Sequence, residues 1–237
     1  MNIAIIGYGK MGREIEKILI ERGHTVAAII DVDNSEDLKS AAFAVADVAI
    51  EFTTPHTAYQ NLVASIQAGV PVVSGTTGWL EHFEDIKRLC AARNGAFFYA
   101  SNYSLGVNLM FRLNRRLAQM INSVDGYSVE IEEIHHIHKL DAPSGTAITL
   151  AEGVIDNLDS KSGWVNDTDA AENEIKICSK RIGEIPGIHT VTYDSAEDTL
   201  EIKHTIKSRR ALAMGAVVAA EFLCGKQGVY SMDDLLK

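Results

Sequence analysis

The sequence predicts an α/β chain in two parts: an N-terminal doubly wound parallel sheet, then a C-terminal α+β unit with a mixed sheet. Three observations carry this expectation. In roughly the first hundred residues, short apolar runs alternate with segments of helical spacing, the rhythm of βαβ units with right-handed crossovers. A glycine-rich turn joins the first run to the first helix. After Tyr103 the runs give way to one long amphipathic helix and to strands alternating β-branched with charged residues, which suits a sheet with one wet face.

The elements follow in order. Ile3 to Ile6 is a continuous apolar run, as a buried parallel strand requires. Met11, Ile15, Ile18 and Leu19 stand at helical spacing before Gly23, a C-cap. Thr25 to Ile30 and Val48 to Phe52 are the next strands, and Pro55 opens a helix that Gly69 stops. Pro71 to Ser74 begins a fourth strand, Trp79 to Ala92 forms a helix and Ala96 to Ala100 a fifth strand. The second part begins with a helix over Gly106 to Ile121, with Val107, Met110, Leu113, Leu117, Met120 and Ile121 as its expected apolar side. Strands are predicted for Tyr127–Ile137, Asn173–Arg181, Ile188–Tyr193 and Thr199–Lys207, with a helix from Pro143 to Leu158. The Asp-rich stretch from Asp156 to Glu174 reads as a loop without function, and Ala211 to Cys224 as a closing apolar helix.

Composition narrows the function. The chain has 237 residues, 46% hydrophobic and 23% charged, which is ordinary globular usage. A net charge of −10 argues against nucleic acid or a membrane surface as partner, because phosphate recognition needs a basic face. The three cysteines, at 90, 178 and 224, form no C-x-x-C pair and suit reduced cytosolic thiols. No apolar run approaches the ~20 residues that span a bilayer, and the N-terminus lacks a basic signal region. A cytoplasmic, non-membrane protein is expected.

Gly7-Tyr8-Gly9-Lys10-Met11-Gly12 is a G-x-G-x-x-G turn set between a strand and a helix. The first glycine permits the tight turn, the second admits a pyrophosphate, and the third lets helix pack on strand. Asp31 ends the second strand, 19 residues beyond Gly12, where an acid can accept from a ribose 2′-hydroxyl. That carboxylate repels a 2′-phosphate and favours NADH over NADPH, although nearby Lys39 keeps NADPH open. Gly75-Thr76-Thr77-Gly78 and Ala100-Ser101-Asn102-Tyr103 follow strands that end at the same crevice. Each has a structural alternative: a packing turn for Gly7 to Gly12, a helix or turn cap for Asp31, and plain turn formers for Gly75 to Gly78 and Ala100 to Tyr103. The expected domains are residues 1–103 for dinucleotide binding, with 209–237 returning to them, and residues 104–208 for the substrate.

The run from Glu133 to Thr146 (EIHHIHKLDAPSGT) carries three histidines in four positions, then a lysine. Metal binding is one reading, weakened because neighbouring strand residues point to opposite sides and no cysteine lies nearby. An anion site is another: Lys139 offers a cation, its pKa lowered by burial near a cationic neighbour, and Ser144-Gly145-Thr146 opens a helix whose N–H groups suit a carboxylate. A solvated strand end beside a capped helix is the third.

The run HHIHKLDAPSGTA, from His135 to Ala147, resembles the signature of the dihydrodipicolinate reductase family. The similarity extends over nearly the whole chain, through Glu51-Phe52-Thr53, Gly75 to Gly78, Ser101 to Asn108, Arg181-Ile182-Gly183, Gly187-Ile188-His189 and His204 to Arg209. It implies a Rossmann-like first domain and an NAD(P)H-dependent reductase of the diaminopimelate/lysine pathway that converts 4-hydroxy-tetrahydrodipicolinate to tetrahydrodipicolinate. It further implies His135 as the catalytic histidine, Lys139 as proton donor, and His136, Ser144, Gly145 and Thr146 as ligands of a small dicarboxylate. The cofactor is expected on Gly7 to Gly12, Asp31, Gly75 to Thr77 and Ala100 to Tyr103, with no metal and a homotetrameric assembly. Ile137 stands where a polar residue is common and Glu51 where Asp is usual; neither change removes a catalytic group. Another dehydrogenase, acting on aspartate or homoserine, would share the glycine turn but not the histidine run. An NADH-sensing regulator would need a recognition helix or a large basic patch, and neither is legible.

Overall fold

Strand β1 (Asn2–Ile6) sends Ile3 and Ile5 to one side of its sheet and Ala4 and Ile6 to the other, all buried. A strand buried on both faces needs helices on both faces, and the chain supplies them. The computed structural model describes residues 1–237. Met1–Leu105 with Arg209–Lys237 forms one unit, and Gly106–Ser208 forms the other.

In the first unit β1 pairs in parallel with β2 (Thr25–Ile30) and β3 (Val48–Glu51). Strands β4 (Val72–Ser74), β5 (Ala96–Tyr99) and β11 (Gly228–Tyr230) extend the sheet to the order β11-β5-β4-β3-β1-β2, every pairing parallel. Helices α1 (Lys10–Glu21), α7 (Arg210–Leu223) and α8 (Met232–Leu235) cover the face carrying Ile3, Ile5, Ile50 and Phe98. Helices α2 (Ala41–Ala44), α3 (Pro55–Gln67) and α4 (Phe83–Arg93) cover the opposite face, with Ala4, Ala49 and Phe97. This is the Rossmann-like doubly wound sheet the alternating runs predict. Strand β11 was not foreseen, since the apolar pattern ends with α7.

The second unit has a five-stranded mixed sheet of β6 (Ser128–His135), β7 (Gly163–Asn166), β8 (Glu174–Arg181), β9 (Ile188–Asp194) and β10 (Thr199–Thr205). Its strand order is β10-β9-β6-β8-β7. β6 runs parallel to β8 and antiparallel to β9. Helices α5 (Leu105–Ile121) and α6 (Gly145–Ile155) bring Met110, Ala118, Leu150 and Val154 onto Ile131, Ile177 and Val191 in a single core.

Two expectations need correction here. The polar stretch 156–174 is not all loop: it contains β7, an edge strand whose half-buried residues show little alternation. The inner side of α5 is also rotated from the expected stripe. Leu113 and Met120 are exposed, whereas Asn114 and Ala118 are buried. Asn114 can lie inside because it donates to the Leu150 carbonyl at 2.9 Å and accepts from the Tyr193 hydroxyl at 3.1 Å.

Candidate active site

The glycine turn between β1 and α1 divides its labour by position. Gly7 has φ +92°, and a Cβ there would lie 2.0 Å from the Phe52 carbonyl oxygen. A Cβ on Gly12 would lie 2.2 Å from the Gly7 carbonyl oxygen, so helix and strand touch only because both residues are glycine. Gly9 is different. It is exposed, and a Cβ there would meet nothing within 4 Å. The crowding thus serves packing at Gly7 and Gly12, while the space over Gly9 is open. Gly9 also caps α1 without a side-chain bond, and no acid sits in the first turn. The helix N–H groups and positive dipole end therefore stand clear for phosphate.

Asp31 follows β2 as an exposed side chain, its N–H donating to Asn34 Oδ1 at 2.8 Å. It lines a cavity of about 250 Å³ with Gly7, Gly9, Val32, Thr53 and Asn61. A second hollow of about 450 Å³ shares Gly9, Phe52 and Thr53, and is bordered by Lys10, Met11, Gly75, Thr76 and Thr77. Tyr8, also on the first cavity, donates its hydroxyl to Glu16 and carries the Arg13 guanidinium 4.8 Å above its ring. These residues fit a dinucleotide, on the open cradle above Gly9 and the uncapped helix.

Beneath this surface lies a carboxylate that the motifs did not announce as functional. Glu51, at the end of β3, is wholly buried. It accepts from Ser74 Oγ at 2.6 Å, from Thr76 Oγ1 at 2.8 Å, from the Thr53 N–H at 3.1 Å and from the Thr53 hydroxyl. Burial pushes its carboxyl above the ordinary value, against these hydrogen bonds. Tyr103 is buried too, donating from its hydroxyl to the Ser74 carbonyl at 2.7 Å, so its side chain braces the loop. Ala100 is buried, Ser101 is exposed, and Asn102 Oδ1 accepts from the Ser104 N–H at 2.9 Å.

In the second unit Val129, Ile131, Glu133 and His135 share the inward face of β6, so the apolar stripe ends in a carboxylate and an imidazole. His135 Nδ1 and Glu133 Oε2 are in close contact, and neither atom has another hydrogen-bond partner. The other oxygen of Glu133 accepts from Arg181 Nη2 at 2.9 Å and from the Ser144 N–H at 3.3 Å. Burial alone would raise the Glu133 carboxyl, but hydrogen bonds from His135, Arg181 and Ser179 outweigh it and hold the pKa at about 2. His189, on β9, is T-shaped against His135 at 5.0 Å between ring centres, and its Nε2 lies 3.1 Å from Ser144 Oγ. Burial first, then the neighbouring His135, pushes its pKa down to about 3, so His189 is neutral.

Ser144 caps α6, its Oγ accepting from the Ala147 N–H at 3.2 Å. Gly145 at the first turn is exposed, and Thr146 is half-buried. Lys139 lies in the loop after β6 with Nζ 2.7 and 2.8 Å from the two oxygens of Asp141. The neighbour of Lys139 is therefore a carboxylate, not the cation expected from sequence, and this ammonium holds the Asp141 carboxyl below its usual range. His136 is half-buried with Nδ1 unpartnered, and His138 points outward to Glu184 at 3.1 Å.

Glu133, His135 and His189 place one potential ligand atom each within 4.8 Å of one another. Both Glu133 oxygens are already bonded, one of them to a guanidinium, which suits an ion-pair network better than a dication. Sequence reasoning assigned no role to Glu133, Arg181 or His189. The i, i+2 spacing of Glu133 and His135 in a strand was the available signal for the first; the other two arrive through sheet pairing.

Residues 1–103 match the family described as dihydrodipicolinate reductase, N-terminus, and residues 106–236 match dihydrodipicolinate reductase, C-terminus. The 4-hydroxy-tetrahydrodipicolinate reductase of Christiangramia forsetii is 49% identical over 237 residues, spanning 100% of this chain and 98% of that protein. The enzyme of the same name from Cupriavidus taiwanensis is 35% identical, spanning 100% and 99%. The dipicolinate-bound dihydrodipicolinate reductase from a Paenisporosarcina species shares the fold, with a TM-score of 0.82 over 99% of both chains at 23% identity. With the open glycine cradle, these matches define the class, an NAD(P)H-dependent oxidoreductase. Both halves of one family description are met along the sequence: the chain belongs to the dihydrodipicolinate reductase family.

Proposed function

We propose that the protein reduces 4-hydroxy-tetrahydrodipicolinate to tetrahydrodipicolinate in the diaminopimelate/lysine pathway, with NADH preferred over NADPH. The observation that carries this reading is the grouping of His135, Glu133, Ser144 and Arg181 around one strand end, directly before the loop of Lys139. Residues 1–103 with 209–237 bind the dinucleotide; residues 104–208 bind the substrate and assemble the oligomer. Gly7 to Gly12 and the α1 N-terminus hold the pyrophosphate and Asp31 the ribose. Gly75 to Thr77 and Ala100 to Tyr103 hold the nicotinamide end, Tyr103 through its backbone. When bound, the cofactor supplies the hydride.

The substrate ring loses its hydroxyl as water to give a conjugated imine, and hydride addition at C4 builds electron density that one proton must neutralise. Lys139 gives that proton, as an ammonium bonded to Asp141. His135 faces the same ring as the catalytic imidazole, oriented by Glu133. His136, Ser144, Gly145 and Thr146 take the carboxylates, which the N-terminal dipole of α6 favours. The homotetramer would assemble through the sheet of the second unit, whose outer face carries Glu130, Thr192, Glu201 and Lys203.

The test is nicotinamide absorbance with freshly generated 4-hydroxy-tetrahydrodipicolinate, run with NADH and with NADPH. Turnover that favours NADH is the expected result. Absence of turnover with either cofactor overturns the reaction, and a preference for NADPH overturns the role given to Asp31. Sedimentation of the same preparation reads the oligomeric state.

A further inference from the structure

We propose that Arg181 is a positioning residue for both proton-bearing side chains: through Glu133 it holds the His135 ring, and through two backbone carbonyls it holds the loop that carries Lys139. The inference rests on the reading that His135 and Lys139 serve the reduction.

Arg181 ends β8, which pairs in parallel with β6 so that Arg181 stands opposite His135 and Ser179 opposite Glu133. Its side chain is only 19% exposed, and all three nitrogens are engaged. Nη2 donates to Glu133 Oε1 at 2.9 Å and to the Asp141 carbonyl at 2.6 Å. Nε donates to the Lys139 carbonyl at 3.3 Å, and Nη1 to the Lys180 carbonyl at 2.8 Å. One planar fork thus ties a buried carboxylate to the backbone on both sides of Leu140. Glu133 in turn touches His135 with its other oxygen.

The loop itself has little else to fix it. Leu140 is 97% exposed and Ile137 58%, so apolar packing contributes little to its shape. The remaining bonds are the turn from the Lys139 N–H to the His136 carbonyl at 3.1 Å, the Ile137 N–H to the Gly183 carbonyl at 3.1 Å, the exposed His138–Glu184 contact at 3.1 Å, and the Lys139–Asp141 pair within the loop. Arg181 is therefore the bridge from this loop to the buried strand face. A lysine in its place would keep one positive charge but could not span Glu133 and two carbonyls, because an ammonium is a point donor and a guanidinium a fork.

The experiment compares the full-length parent with Arg181→Lys and Arg181→Ala. Both variants are expected to lose kcat by roughly 10-fold to 100-fold, the scale of a displaced proton donor. The KM for NADH stays within about twofold, because the cofactor residues lie in the other unit. Millimolar guanidinium restores turnover to Arg181→Ala and methylammonium does not, which separates the fork from bare charge. Amide hydrogen exchange over residues 136–143 quickens in both variants. A kcat for Arg181→Lys within about twofold of the parent's overturns the proposal, as does exchange over 136–143 equal to the parent's. Arg181→Lys decides the matter alone if Arg181→Ala does not fold. A parent that fails to turn over the substrate refutes the proposed reaction instead, and the exchange comparison, which needs no substrate, then decides for or against the clamp.

Discussion

Glu133 and His135, two residues apart on β6, meet in a buried carboxylate–imidazole contact on the face of the strand that packs the core. Alternation puts i and i+2 on one side of a strand, so a sequence that places Glu and His at those positions commits both to the interior together. Replacing Glu133 leaves His135 Nδ1 without a partner, whereas replacing His135 leaves Glu133 its Arg181 guanidinium.

Acid stability follows from this arrangement. His189 has a folded pKa of about 3 against an ordinary 6.5, so it favours folding fully above 6.5 and loses that contribution as pH falls towards 3. Glu133, at about 2 against 4.5, loses its contribution between 4.5 and 2. Both act in the same direction, and stability is expected to fall in two overlapping steps on acidification. Denaturant midpoints measured against pH should lose the upper step in His189→Gln and the lower one in Glu133→Gln; an unchanged profile in both would contradict the assignment.

The glycine turn allows packing and binding to be separated. Gly12→Ala must displace the Gly7 carbonyl and is expected to cost about 1–3 kcal/mol of stability. Gly9→Ala meets open space, so its stability should lie within about 1 kcal/mol of the parent's while NADH affinity drops. Calorimetric titration with NADH beside thermal melts checks both; equal NADH affinity in Gly9→Ala would contradict the cradle.

Cofactor choice should turn on Asp31. Asp31→Ser removes the charge that would face a 2′-phosphate, and the ratio of kcat/KM for NADPH over NADH is expected to rise by about tenfold. The two cofactors compared on one preparation give the answer.

Ser144 joins two tasks, capping α6 and meeting His189. Loss of the cap in Ser144→Ala is expected to cost about 1–2 kcal/mol, with a raised KM for the dicarboxylate and little change in KM for NADH. Thermal unfolding and steady-state kinetics read the two effects independently.

Much of this was legible beforehand where a single physical demand left a plain pattern. The alternation of runs such as Ile3–Ile6 and Val48–Phe52 with helical segments declared the doubly wound sheet, and the atoms crowding Gly7 and Gly12 show why those two positions tolerate no side chain. Patterns failed where neighbours decide. β7 is an edge strand held by pairing to β8, so Gly163–Asn166 never had to look apolar. Leu113 reads as core and lies outside, while Asn114 reads as surface and lies inside because Leu150 and Tyr193 satisfy it. Arg181 and His189 reach His135 from strands 46 and 54 residues further along the sequence, a distance no local spacing encodes.

Helix α7 and strand β11 give the first unit part of its core and one edge of its sheet, yet they come from the last 29 residues of the chain, 209–237. On the ribosome, the middle of this protein is therefore complete before the beginning is. The segment 106–208 can reach its own core while the N-terminal sheet still lacks its cover over Ile50, Val73 and Phe98. During synthesis that apolar face stays uncovered until residues 209–237 have been made, and only then does the glycine turn rest on a finished domain.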